Sequence, residues 1–142
     1  MTSKTLAALE GRPLDWPDEG SYLVGTCQRL WDVPIEELEV EDLRILIGQG
    51  LGLRHLMPRA LEVLQADPLA QGDFYPGDLL SAVLRSAPSF WAGNPALACR
   101  VVALAQIALA RMNKKFRKKN DDIRHQIFEE LGRFSDHPGG PN

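Results

Sequence analysis

Cysteine is scarce in this chain of 142 residues, and the two that occur, Cys27 and Cys99, exclude a disulfide-rich scaffold and a four-cysteine zinc site. Long apolar runs are also missing: the longest, residues 96–110, is interrupted by Arg100 and Gln106 and is judged too short to span a bilayer. No segment shows the alternation of β-branched or aromatic residues that is typical of a strand. The apolar share of 44% is nevertheless that of an ordinary globular protein, so we expect a helical chain with one core.

Apolar residues instead recur at three- and four-residue spacing, which predicts amphipathic helices whose ends are marked by glycine, proline and capping residues. The longest, beginning at Asn94-Pro95 and ending near Lys118, is apolar almost all round and is predicted to be the central, most buried helix. The fold class predicted is all-α: a compact single-domain bundle of about six to eight helices with a long central C-terminal helix. The firmest predicted helices span about residues 18–31, 40–47, 51–65, 79–84, 95–118 and 120–134.

The length fits one domain, so residues 1–142 are assigned to a single α-helical domain. Residues 1–18 are expected to be partly loop, and residues 135–142, rich in glycine and proline, to form a frayed tail. No apolar segment follows the N-terminus, so a secretory signal is not expected and the predicted location is the cytoplasm.

Two local features break the helical pattern. Pro58 lies inside the third predicted helix and cannot donate to the carbonyl of Arg54, so a kink is expected there; a new helix with Pro58 in its first turn is the alternative. Gly48-Gln49-Gly50 superficially resembles a phosphate-binding loop, but a helical pattern rather than a strand precedes it. It is therefore interpreted as a helix cap and connector.

Residue groupings typical of enzymes are not evident. The sequence has neither a His-Glu-x-x-His nor a Gly-x-Ser-x-Gly motif, and His55, His125 and His137 have no partner at metal-ligand spacing. Both cysteines are interpreted as small buried hydrophobic residues. We therefore predict a protein that is not an enzyme and that binds no cofactor or metal; a small hydrolase using His55 with Asp73 or Asp78 is an alternative.

Charge is distributed unevenly along the chain, whose formal net charge is −3. Residues 1–50 contain ten acids and four bases, whereas residues 101–142 contain five acids and eight bases. Such a dipolar molecule can steer a charged protein partner, whereas a nucleic-acid-binding domain is usually basic overall. The basic residues within 114–119 are interpreted as a solvated helix end. A helical nucleic-acid-binding or regulatory protein that uses residues 114–119 is the alternative.

Two groups of acidic residues are the best candidates for contacting a partner. One group lies within residues 36–42, and the other flanks Phe74 and Tyr75 in a loop. Aromatic side chains provide anchors in protein interfaces and carboxylates provide charge complementarity. Helix capping by Glu41, Asp42 and Asp78, and a core position for Phe74, are the alternatives. The candidate partner-binding residues are Glu36, Glu37, Glu39, Glu41, Asp42, Asp73, Tyr75 and Asp78.

Two ordered motifs lie within residues 20–92: VEDLRILIGQ at Val40–Gln49, followed by Gly52-Leu53 and Pro58, and GDFYPGDLL at Gly72–Leu80. This string resembles the immunity proteins of bacterial contact-dependent growth inhibition (CDI). The resemblance implies a small α-helical cytoplasmic protein that binds one cognate toxin, the C-terminal domain of a large surface-delivered protein. Such toxins are commonly nucleases, and the immunity protein blocks their active site.

The predicted partner is therefore that toxin domain, and the charge and the apolar runs predict no direct nucleic-acid or membrane binding. One departure concerns the start of the second helix, where similar proteins tend to carry a capping Thr or Ser and this chain has Glu39. Because Glu39 caps less well, that helix is expected to fray or to use a different cap.

Overall fold

The computed structural model describes residues 4–11, 22–115 and 121–136, and within these ranges the chain consists of helices, turns and loops. Extended pairing there is confined to two isolated β-bridges, Thr5–Pro34 and Gln71–Pro76. The predicted all-α fold is confirmed. The described elements are α1 (Leu6–Glu10), α2 (Tyr22–Leu30), a 3₁₀ turn (Ile35–Glu37), α3 (Val40–Gly48), α4 (Leu53–Ala66), α5 (Asp78–Leu84), α6 (Pro88–Ala92), α7 (Pro95–Lys115) and α8 (Asp121–Asp136).

The short helix α5 is the most buried element of the fold. All of its residues are buried, and it packs against α3, α4, α7 and α8. The long helix α7 is present as predicted, but the expectation that it would be the most buried helix is wrong. Ile107 is 43% exposed, and Arg100 and Gln106 are exposed as well. Neighbouring helices therefore cover only one side of α7.

Within α7, the segment Pro95–Met112 is long and apolar enough to cross a membrane by length and composition alone. The expectation that no apolar segment is long enough to span a bilayer is therefore wrong. Its buried residues, such as Ala98, Val101 and Ala105, recur at three- and four-residue spacing, and the helix packs against α4, α6 and α8. This is the pattern of a helix with one face in a protein core.

The region from α3 to α4 follows the predicted boundaries closely. Helix α3 ends at Gly48, and Gly50 and Gly52 have φ angles of 72° and 63°. The interpretation of this glycine-rich segment as a cap and connector is confirmed, because such left-handed conformations favour glycine. Helix α4 continues as one helix across Pro58.

Several predictions concern residues near the ends of the described ranges. Helix α8 extends to Asp136, two residues further than predicted. The remaining tail, most of residues 1–18 and the residues between α7 and α8 lie outside the described residues. Cys27 is buried as predicted, and burial raises the pKa of its thiol. Cys99 is exposed, so that prediction is wrong, because the residue lies on the uncovered side of α7.

Candidate functional site

The loop between α4 and α5 is held from inside the protein by Asp78, the first residue of α5. Its carboxylate accepts hydrogen bonds from the backbone N–H groups of Gly72 at 2.7 Å, Phe74 at 3.1 Å and Tyr75 at 3.4 Å. Asp78 is only 2% exposed. Asp78 was a candidate contact residue, but its oxygens are engaged inside the fold, where they support the loop.

Glu41 and Arg44 on α3 hold the other side of this loop. Glu41 Oε1 accepts a hydrogen bond from the N–H of Asp73 at 2.9 Å, and the two carboxylate oxygens bind Arg44 Nε at 2.7 Å and Nη2 at 2.5 Å. Arg44 Nε also lies 3.9 Å from Asp78 Oδ2. The hydrogen bonds from Arg44 lower the pKa of Glu41, and the Asp73 amide adds to this effect. Glu41 thus joins α3 to the loop as an ionised group.

Gly72 allows the loop to approach α3 this closely. A Cβ at this position would collide with the Glu41 carboxylate and would lie 3.2 Å from the Cα of Glu41. A side chain on residue 72 would therefore push the loop away from α3. The first glycine of the GDFYPGDLL motif, Gly72, is therefore explained by the close approach of the loop to α3.

Phe74 is presented at the surface by this scaffold. Its side chain is 67% exposed, and its ring lies over the guanidinium of Arg44, with 4.4 Å between Arg44 Cζ and the ring centroid. The alternative that Phe74 fills the core is wrong, because Arg44 provides its support at the surface. Phe74 was not among the candidate contact residues, although its position between acids in a loop was a signal for it.

Helix α8 contacts the same loop from the C-terminal part of the chain. Gln126 Nε2 donates a hydrogen bond to the hydroxyl oxygen of Tyr75 at 2.8 Å and lies 3.2 Å from Ser81 Oγ. The Ser81 hydroxyl in turn lies 2.7 and 2.9 Å from the two carboxylate oxygens of Glu130, which is 3% exposed. Sequence reasoning missed Gln126 and Glu130, because nothing near them in the chain indicates that they reach residues 75 and 81.

The acids that precede and begin α3 divide into a cap and an exposed group. Asp42 accepts a hydrogen bond from the Glu39 N–H at 2.9 Å, and the two residues form a reciprocal capping box at the start of α3. The side chains of Glu36 and Glu37 in the 3₁₀ turn are exposed, and so are those of Glu39 and of Asp73 in the loop. We call this exposed set the acidic face: Glu36, Glu37, Glu39 and Asp73.

A groove of about 420 Å³ runs between the start of α3, α4 and the loop. Glu39 and Asp73 of the acidic face line it, and so does Arg59, whose Nη2 donates to the backbone oxygen of Glu36 at 3.4 Å. Its shape and lining suit a side chain with an apolar stem and a polar end. The apolar lining residues are Leu38, Val40 and Val63.

Structural support for the alternative functions is weak. His55 Nε2 lies 3.5 Å from Glu10 Oε1, and the Asp78 carboxylate is engaged by loop amides, so the structure does not pair His55 with Asp78. In the part of the chain that the structure describes, no group of three or more His, Cys, Asp or Glu side chains could hold a metal ion. The side chains of the basic segment 114–119 lie outside the described residues.

The sequence was compared with models of known protein families and with curated proteins. A family model of CDI immunity proteins matches residues 8–101. That range contains the acidic face, the groove and the loop before α5, whereas α8 lies beyond it. A comparison with curated proteins finds no match.

Proposed function

Because the chain belongs to the family of CDI immunity proteins, we propose that it binds one cognate CDI toxin domain in the cytoplasm and neutralises it by covering the active site of the toxin. The protein acts by occupying a surface and transforms no substrate. The toxin is a nuclease in this proposal, and its cleft is basic because it has to attract phosphate groups.

The acidic face is the observation that carries the proposal. Glu36, Glu37 and Asp73 are exposed, and neither Glu37 nor Asp73 forms an ion pair with another described residue. Such carboxylates can attract a basic cleft and accelerate its association. Beside them the loop exposes Phe74, whose ring suits the role of an aromatic anchor.

The groove gives this interface a specific contact. Its apolar lining suits the methylene stem of a lysine or arginine side chain, and the carboxylates of Glu39 and Asp73, which also line it, suit the cationic end. Tyr75 is half-buried at the neighbouring position in the loop. Glu41, Asp42 and Asp78 support this surface from inside and are not assigned direct contacts.

The test is a charge reversal of the exposed acids. The triple variant Glu36→Lys, Glu37→Lys and Asp73→Lys is expected to associate with the toxin domain about tenfold more slowly at low salt, because steering is lost. Association rates measured by stopped flow or surface plasmon resonance over a range of salt concentrations are also expected to show a flatter salt dependence. Co-purification with the toxin domain and protection of growing cells report the function itself.

A matched control distinguishes the effect of charge on the acidic face from the effect of the net charge of the protein. The variant Asp122→Lys, Glu129→Lys and Asp136→Lys changes the net charge equally on exposed positions of α8. It is expected to affect the association rate much less than the acidic-face variant. Equal slowing by both variants would contradict the proposed location of the interface, and failure of the native chain to bind any CDI toxin domain would contradict the function.

A further inference from the structure

The loop that carries Phe74 is held by two parts of the chain that are far apart in sequence. Asp78 and Glu41 bind its backbone from within the family-matched range, residues 8–101. The hydroxyl of Tyr75 instead accepts a hydrogen bond from Gln126 on α8, which lies outside that range. The support of the loop therefore includes a residue that the family match does not cover.

Gln126 is itself fixed by a buried polar cluster. Its amide nitrogen lies 3.2 Å from Ser81 Oγ and 3.4 Å from Glu130 Oε2. Glu130 is buried, and its Oε2 lies 3.4 Å from Arg85 Nε. A glutamine side chain that is free at the surface would lose rotational freedom on binding Tyr75, whereas this one is already ordered by its neighbours.

The end of the loop also touches α8 directly. Gly77 has a φ angle of 87°, and a Cβ at that position would lie 2.9 Å from Ile127 Cδ1. Ile127 follows Gln126 in α8 and is fully buried. A displacement of α8 would therefore move both the Tyr75 hydroxyl and the last residue of the loop.

We propose that Gln126 is a positioning residue for toxin recognition: through its hydrogen bond to Tyr75, α8 sets the conformation in which residues 72–77 present Phe74 and Asp73. This inference rests on the proposed function, in which these two residues contact the toxin. It assigns to α8 a part in recognition although the helix itself contributes no contact.

Two variants that remove the same hydrogen bond from opposite sides test the proposal, Gln126→Ala and Tyr75→Phe. In the isolated protein, each is expected to accelerate amide hydrogen exchange at residues 72–77 by about three- to tenfold, the equivalent of one neutral hydrogen bond. Each is also expected to accelerate dissociation of the toxin domain by a similar factor of about three to ten. The double variant is expected to show no larger effect than either single one.

Arg133→Ala provides the matched control, because Arg133 is exposed on α8 and its Nη1 lies 3.7 Å from Glu129 Oε2 on the same helix. It is expected to change neither exchange in the loop nor toxin dissociation. Tyr75→Phe leaves α8 intact, so it keeps the test meaningful if Gln126→Ala lowers overall stability. Unfolding midpoints of all variants identify any such loss.

The possible outcomes separate the two proposals. Unchanged exchange at residues 72–77 in both variants would overturn the positioning role. Faster exchange with unchanged toxin dissociation, while the acidic-face variant still slows association, would overturn the link to recognition and leave the proposed function standing. Faster exchange, with toxin binding unaffected in every variant including the acidic-face triple, would instead overturn the proposed interface.

Discussion

Acidic residues in and around the loop before α5 and the start of α3 have opposite roles. Asp78 and Glu41 point inward, where backbone amides and a guanidinium bind their oxygens. Glu37 and Asp73 point into solvent on the acidic face. All four are carboxylates of similar reach, so the difference arises from the donors that the fold supplies. Inward acids determine the shape of the loop, and outward acids determine the field that a partner meets.

This difference predicts where the molecule tolerates change. Replacing an outward carboxylate removes a solvated charge and leaves the hydrogen bonds of the fold intact. Replacing an inward one leaves amide donors of the loop without acceptors. The acidic face can therefore change its charge pattern while the loop keeps its conformation, which suits the proposed binding of one cognate toxin.

Asp78→Ala is expected to have the largest effect of the variants that test this comparison. It removes the acceptor of three loop amides at a position that is 2% exposed, so we expect a loss of about 3 kcal/mol in the free energy of unfolding. Urea unfolding followed by circular dichroism measures it. Asp73→Ala is the matched control and is expected to cost less than about 0.5 kcal/mol. Similar losses for the two variants would contradict the division into inward and outward acids.

Glu41→Gln tests an inward acid through its pH dependence. Because its folded pKa lies below the ordinary value of 4.5, ionised Glu41 stabilises the fold above that value, and the stabilisation is lost as the pH falls through the folded pKa. We expect the variant to be less stable than the native chain by about 1 kcal/mol at pH 7.

The free energies of unfolding of Glu41→Gln and of the native chain are expected to converge as the pH falls below about 4.5. In that range Glu41 of the native chain becomes protonated and loses its charge, which the variant lacks at every pH. Glu37→Gln, on the acidic face, serves as the control and is expected to show no such convergence, because it starts with almost no difference. A stability gap between Glu41→Gln and the native chain that persisted at acidic pH would show that the charge of Glu41 is not what holds the loop.

Helices were predictable from the sequence because their signals are local. The spacing of apolar residues and the glycine and proline boundaries correctly indicated α3, α4 and α5 to within a residue or two. The same signals could not rank the helices by burial, since burial depends on which neighbours cover each face. The long helix α7 has apolar residues on more of its surface than the neighbouring helices cover. The short helix α5 instead lies at the centre of the fold.

The candidate site was only half predictable, because the direction of a loop side chain depends on distant residues. Asp73 is bound through its amide by Glu41, 32 positions earlier, and Tyr75 is bound by Gln126, 51 positions later. The sequence identified the segments that form the site. It could not indicate that Asp78 turns inward or that Phe74 turns outward.

Phe74→Ala is expected to lower stability less than Asp78→Ala or Glu41→Gln does. The ring is exposed and contacts the guanidinium of Arg44, so its removal is expected to cost less than about 1 kcal/mol. Trp91→Ala is the matched aromatic in the core: its ring is 2% exposed and packs edge-on against Phe90 and Phe134, and we expect a cost of about 3–5 kcal/mol. Thermal and urea unfolding measure both. If Phe74→Ala proved as destabilising as Trp91→Ala, the ring would have to be packed inside, and the loop could not present it to a partner. A small loss of stability, combined with a large loss of toxin affinity, would instead mean that this part of the loop is ordered for binding rather than for folding.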